Sequence, residues 1–174
     1  MLLNARQVAY LGVLLAVCEV CLYMSAVLEI NTLALLFVAA CCVGISCILT
    51  TPVKGGIFLV AAILLGYLIL PNKLYLITFA GLGVYILILE GVQPRMLLKW
   101  PVWIIWGIKL AVFNVVYVPL LIFVPQILYS GEVSFGVFLA LLLADNAVMV
   151  GFDYLYLSLE SKYGAQIQAL IRRR

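Results

Sequence analysis

Glu19, Lys109, Asp145 and Asp153 are ionisable side chains set inside long apolar runs of the sequence, and the amides Asn114 and Asn146 lie beside them. Charged groups in such runs are costly, and they ordinarily face protein or a water-filled cavity. Depth along a helix follows from its rise per residue. Glu19 stands about 18 Å from the start of its run, Asp145 about 18 Å from the end of its own, and Lys109 about 12 Å from the start of a third. A lysine stem can climb several ångström further, so Glu19, Lys109 and Asp145 are expected to converge at one depth. Asp153 falls close to the end of its run and needs no special partner there. Two chemistries suit such a cluster. Matched charges can lock helices together, since burial is tolerable when charges are paired. Alternatively the groups bind a polar ligand or carry a proton.

The elements that must position these residues are membrane helices. Of the 174 residues, 68% are hydrophobic and 10% charged, with a mean hydropathy of +1.29. A soluble domain is near half apolar and a quarter charged, and a small fold cannot hide such an excess. Disorder requires the opposite composition. A bilayer crossing takes about 20 apolar residues, and six runs qualify: 7–29, 32–50, 54–70, 74–90, 101–125 and 134–157, followed by a basic tail at 158–174. The expected fold is an all-α, six-helix membrane bundle forming a single domain. A strand barrel would need short alternating segments, whereas Ile57 to Leu70 is apolar throughout. Run 7–29 reads as a retained helix rather than a cleaved signal, because further spans follow it and Arg6 is its only early cation. The string Leu15-Ala16-Val17-Cys18 carries a bulky Val17 where a lipoprotein cleavage box needs a small residue.

With six spans both ends share one side. Arg6, Lys54, Arg95, Lys99, Lys162, Arg172, Arg173 and Arg174 fall on that side, against Lys73 alone on the other. Basic residues favour the cytoplasm, so cytoplasmic termini in a plasma membrane are expected, with Trp100 and Trp103 at the inner interface and Tyr67, Tyr75 and Tyr129 near the outer one.

Several function classes fall away. The chain has no His, which removes His-based triads and most zinc enzymes. The net charge of +3 is no nucleic-acid footprint, and Gly55-Gly56 after Lys54 lacks phosphate-loop spacing. Asp145 and Asp153 share one segment without the context of an intramembrane aspartyl protease. No catalytic residue, cofactor or metal is expected. Cys18 and Cys21 form a C-x-x-C, with Cys41, Cys42 and Cys47 in the next run; Cys serves more often as a small apolar residue of buried helices. Gly12 and Ala16 make a small-xxx-small pair on one stripe with Glu19 and Tyr23. Such a pair lets another helix approach closely. Packing inside the bundle is the simpler reading, and a docking face for a partner is the other. On the last run Asn146, Met149 and Asp153 share a face, and Pro119 predicts a kink in the fifth.

Six spans in a short chain, cytoplasmic ends, a basic tail and the Gly12/Ala16 stripe resemble the substrate-binding (S) components of energy-coupling factor (ECF) transporters. The turn Leu70-Pro71-Asn72-Lys73-Leu74 and the stretch Asp153-Tyr154-Leu155-Tyr156 are similar to those of uncharacterised members of that group. The resemblance covers the whole chain, mainly in architecture; the outer turn Glu29-Ile30-Asn31-Thr32 is shorter than in common members, and the substrate motifs of the vitamin binders are missing. It implies a subunit holding a small solute, with Glu19, Asn31, Trp106, Lys109, Asn114, Asp145 and Asn146 as candidate contacts. It also implies docking through Gly12 and Ala16 on a transmembrane scaffold subunit driven by two ATPases. MreD-type cell-shape proteins are similar in size and span count, so a non-transporting scaffold is the alternative, and a small ion-coupled carrier a third.

Overall fold

The computed structural model describes residues 5–28, 32–96, 101–123 and 135–172. Every element in that range is helical: α1 (Ala5–Val27), α2 (Thr32–Leu49), α3 (Pro52–Ile69), α4 (Lys73–Met96), α5 (Val102–Phe123) and α6 (Phe135–Arg172). In a bilayer every backbone N–H and C=O needs a partner within the protein, which helices supply. Five segments are long and apolar enough to cross a membrane: Ala5–Val27, Thr32–Leu49, Pro52–Ile69, Lys73–Gly91 and Phe138–Gly164. In α5 the described apolar run, Val102–Val115, is shorter, although the helix itself continues through Pro119 to Phe123. Helix α6 continues beyond its apolar run, through residues 158–172 of the basic segment. At 38 residues that helix is about 57 Å long, more than the hydrocarbon thickness of about 30 Å.

The chain divides into two compact units, Met1–Pro94 with Leu159–Arg174, and Arg95–Ser158.

In the first unit α1, α2 and α3 pack on one another, and α4 adds Leu76 and Phe79 to their core. Helix α2 is central. Its buried set runs unbroken from Ala39 to Gly44, through Cys41, Cys42 and Val43. Small side chains make this possible, because they let neighbouring backbones approach on more than one face. Cys18 and Leu22 of α1 and Phe58, Leu59 and Ala62 of α3 close around it. Ser25 and Ser46 are fully buried, and each hydroxyl donates to a carbonyl of its own helix, at Leu22 (2.7 Å) and Val43 (2.6 Å). Neither of these two hydroxyls is thereby left without a partner in an apolar setting.

The turns are set by local chemistry. Thr51, in extended backbone, accepts from the Lys54 N–H at 3.5 Å, and Pro52 opens α3, where its missing donor costs nothing. At the other end of α3, Lys73 donates to the Leu70 carbonyl (2.7 Å) and to the Tyr67 carbonyl, and lies 4.5 Å from the Tyr67 ring centroid. A cation there answers the unpaired carbonyls of a helix end. Asn72 then caps α4 by accepting from the Leu74 N–H at 3.0 Å. Gly55 is a point of close approach in the α2–α3 hairpin: a Cβ there would run into Cys47 Sγ and lie 3.4 Å from Cys47 Cα.

In the second unit α5 and the first part of α6 form a helix pair. Outward-facing side chains such as Trp103 and Val115 are strongly exposed, as lipid-facing positions are. Its buried side chains include Ile105 and Lys109 of α5, and Met149, Phe152, Asp153 and Tyr156 of α6.

Candidate functional site

Three polar rungs cross the α5–α6 pair. Lys109 Nζ donates to both oxygens of Asp153, at 2.7 and 3.1 Å. Asn114 and Asn146 exchange hydrogen bonds, Nδ2 to Oδ1, at 2.8 and 3.2 Å. Tyr117 Oη donates to Asp145 Oδ2. As the α5 number rises from 109 to 114 to 117, the α6 number falls from 153 to 146 to 145, as antiparallel helices require. The rungs extend over about 12 Å of helix.

Their burial differs along this length. Lys109 is 6% exposed and Asp153 0%, so the pair is an ion pair removed from solvent. Two hydrogen bonds and opposite charge offset part of the desolvation cost. The Trp106 ring, one turn back on α5, adds a cation–π contact with Nζ 5.3 Å from its centroid. The two amides use their remaining donors on their own helices, to the carbonyls of Leu110 (2.8 Å) and Leu142 (2.7 Å). Both donors of each amide are thus engaged. The Tyr117–Asp145 rung is half-buried, and Tyr117 stacks on Phe113 with centroids 5.3 Å apart. One phenol donor leaves a carboxylate with further acceptor positions, so this rung has capacity for another polar group.

Of the residues expected from sequence, Trp106, Lys109, Asn114, Asp145 and Asn146 belong to this ladder. The partner of Lys109 is Asp153, not Glu19 or Asp145. The expectation that Asp153 needs no special partner is corrected, since it is fully buried and charge-paired. Tyr117 was also not foreseen. The signal was available: Asp153 lies seven residues beyond Asn146 on the face already shared with Met149, and Tyr117 lies three beyond Asn114. Asn31 lies outside the described residues.

Glu19 belongs to the first unit. Both of its carboxylate oxygens are buried without a hydrogen-bond partner among the described residues. Its Oε2 lies against α3, 3.7 Å from where a Cβ on Gly66 would be. That is an ordinary contact distance; the tight neighbour of Gly66 is Leu76, whose Cδ1 would lie 2.8 Å from such a Cβ. Elsewhere on the same stripe the helix is open. Gly12 and Ala16 are exposed, Tyr23 is 44% exposed, and nothing lies within 4 Å of a Cβ placed on Gly12. The simpler expectation, that Gly12 and Ala16 serve packing inside the bundle, is not met in the first unit. All five cysteines are free thiols and four are buried. No group of three His, Cys, Asp or Glu suited to a metal occurs among the described residues.

No protein-family model, curated protein or solved structure matches this chain.

Proposed function

We propose that the chain is a membrane-embedded, non-enzymatic substrate-binding subunit of an ECF-type importer, holding a small polar metabolite for uptake driven by partner subunits. In this reading six spans cross the plasma membrane with both termini in the cytoplasm. The observation that carries it is the polar ladder of α5 and α6, placed within helices whose outer faces are apolar. A bilayer protein places ionisable groups so deep chiefly where they meet a polar ligand or one another. The half-buried Tyr117–Asp145 rung is the point at which a ligand's donor enters, with the Asn114–Asn146 pair beneath it. Asn31 and Glu19 are further candidate contacts. The exposed Gly12 and Ala16 of α1 support docking on a transmembrane scaffold subunit, with two ATPases supplying energy.

The test is purification from the native membrane followed by native mass spectrometry. The reading expects a scaffold subunit, two ATPases and a bound small molecule, and expects Asp145→Asn to lose uptake and the bound molecule together. A second reading, a non-transporting scaffold in a membrane complex, is favoured by one observation: the ladder's groups already bond one another. Recovery of other partners with no bound molecule would select it.

A further inference from the structure

We propose that Glu19 is a binding site for a small monovalent cation, a proton or a sodium ion, inside the α1–α4 bundle. The proposal does not rest on the transport reading. Both carboxylate oxygens are enclosed and neither accepts a hydrogen bond from the described residues. An anion so placed is strongly disfavoured unless something positive is beside it. The surroundings offer little. On its own helix the neighbours are Cys18 and Leu22, both fully buried; on α3 it meets Gly66, itself packed against Leu76 of α4. The adjacent Cys18 thiol interacts electrostatically with Glu19, and Cys21 and Cys42 lie around that thiol. On α3 the titratable residues are Lys54 and Tyr67, toward opposite ends; on α4 they include Lys73, Tyr75, Tyr85 and Glu90. None of these donates to the carboxylate, and Lys73 is spent on the α3 carbonyls. The contrast with Asp145, which takes a phenol hydrogen bond, and Asp153, which takes an ammonium, is what singles Glu19 out. Gly66 sets no side chain of its own beside the carboxylate, and a monovalent cation matches the single charge. A divalent ion would require more anionic ligands than one carboxylate supplies.

The experiment is carbodiimide labelling of the full-length protein in membranes. Dicyclohexylcarbodiimide adds across its C=N bond to a carboxyl that carries a proton, giving an acylisourea that rearranges to a stable acylurea with no leaving group. Peptide mass spectrometry then reads each acid separately. We expect modification of the Glu19 peptide in sodium-free choline buffer, absent in Glu19→Gln. If added NaCl but not choline chloride protects Glu19, the cation is sodium. If sodium has no effect and labelling falls as pH rises, it is the proton. If Glu19 stays unmodified across pH in sodium-free buffer while exposed acids of the same sample react, the proposal is overturned.

Discussion

In the α1–α4 bundle the helices meet through small and apolar side chains, with Ala39, Ala40, Cys41 and Cys42 letting backbones come close and one acid, Glu19, left without a partner. Between α5 and α6 the meeting surface holds an ion pair, an amide pair and a phenol–carboxylate pair. The bilayer supplies no hydrophobic drive between helices, since lipid tails are as apolar as leucine. Close packing and interhelical hydrogen bonds are therefore the two available means of association, and each region relies mainly on one. The difference teaches where function can be sought. In a close-packed region, a lone acid stands out as a candidate for a separate use. A polar seam can be either glue or a ligand site, and perturbation of its rungs separates the two.

The largest expected effect is at the charged rung. Asp153→Ala leaves the Lys109 ammonium buried and unpaired, and should lower stability by about 3–5 kcal/mol, read as a fall in unfolding temperature in detergent. The double variant Lys109→Met with Asp153→Leu should recover most of that loss, because apolar replacement of a whole buried pair is often neutral or stabilising. A double variant as unstable as Asp153→Ala would mean that the pair has a role in assembly beyond charge matching.

The close-packed region should break differently. Gly55→Ala drives a methyl into Cys47 Sγ and close to the Cys47 backbone. The expected loss is about 1–3 kcal/mol from overpacking. Adding Cys47→Ala removes the sulfur and should restore much of the stability, since what remains is Ser46 Oγ at 3.3 Å, which need yield only slightly, and the Cys47 backbone at 3.4 Å.

How far the sequence disclosed this follows from what each signal measures. Apolar runs report a helix that must satisfy its own backbone in lipid; six were read, five are helices long and apolar enough to cross a membrane, and the boundaries near Thr51-Pro52 and Pro71-Asn72 were readable directly. The polar residues of the ladder stood out because charge in an apolar run is rare. Their pairing was not readable, since depth from the run's edge assigned Asp153 to the interface. The edge was set by hydropathy at 157, while α6 continues to Arg172, so residue 153 is interior to its helix. The stripe of Gly12, Ala16, Glu19 and Tyr23 was read as facing protein throughout, but only the Glu19 carboxylate is enclosed while the other three are exposed, so periodicity gave neither a uniform face nor a partner. That its neighbour is the backbone of Gly66 required coordinates, because a glycine leaves no mark on an apolar pattern.

The smallest effect decides the most about function. Asn114→Leu removes one half of a reciprocal amide pair whose members also bond their own helices at Leu110 and Leu142. Those intrahelical bonds survive in Asn146, so the single substitution should cost little. In a double-mutant cycle with Asn146→Leu, interhelical hydrogen bonds in membranes contribute on average about 0.6 kcal/mol and at most about 1.7. A coupling in that range, with partner recovery unchanged in both variants, would make the amide rung glue, and weight would shift toward the scaffold reading. A coupling near zero, joined to loss of the bound molecule in either single variant, would mean that the amides exchange one another for a ligand at no net cost. Polar groups that pair without gaining stability are free to open, and the seam would then be a site rather than a seal.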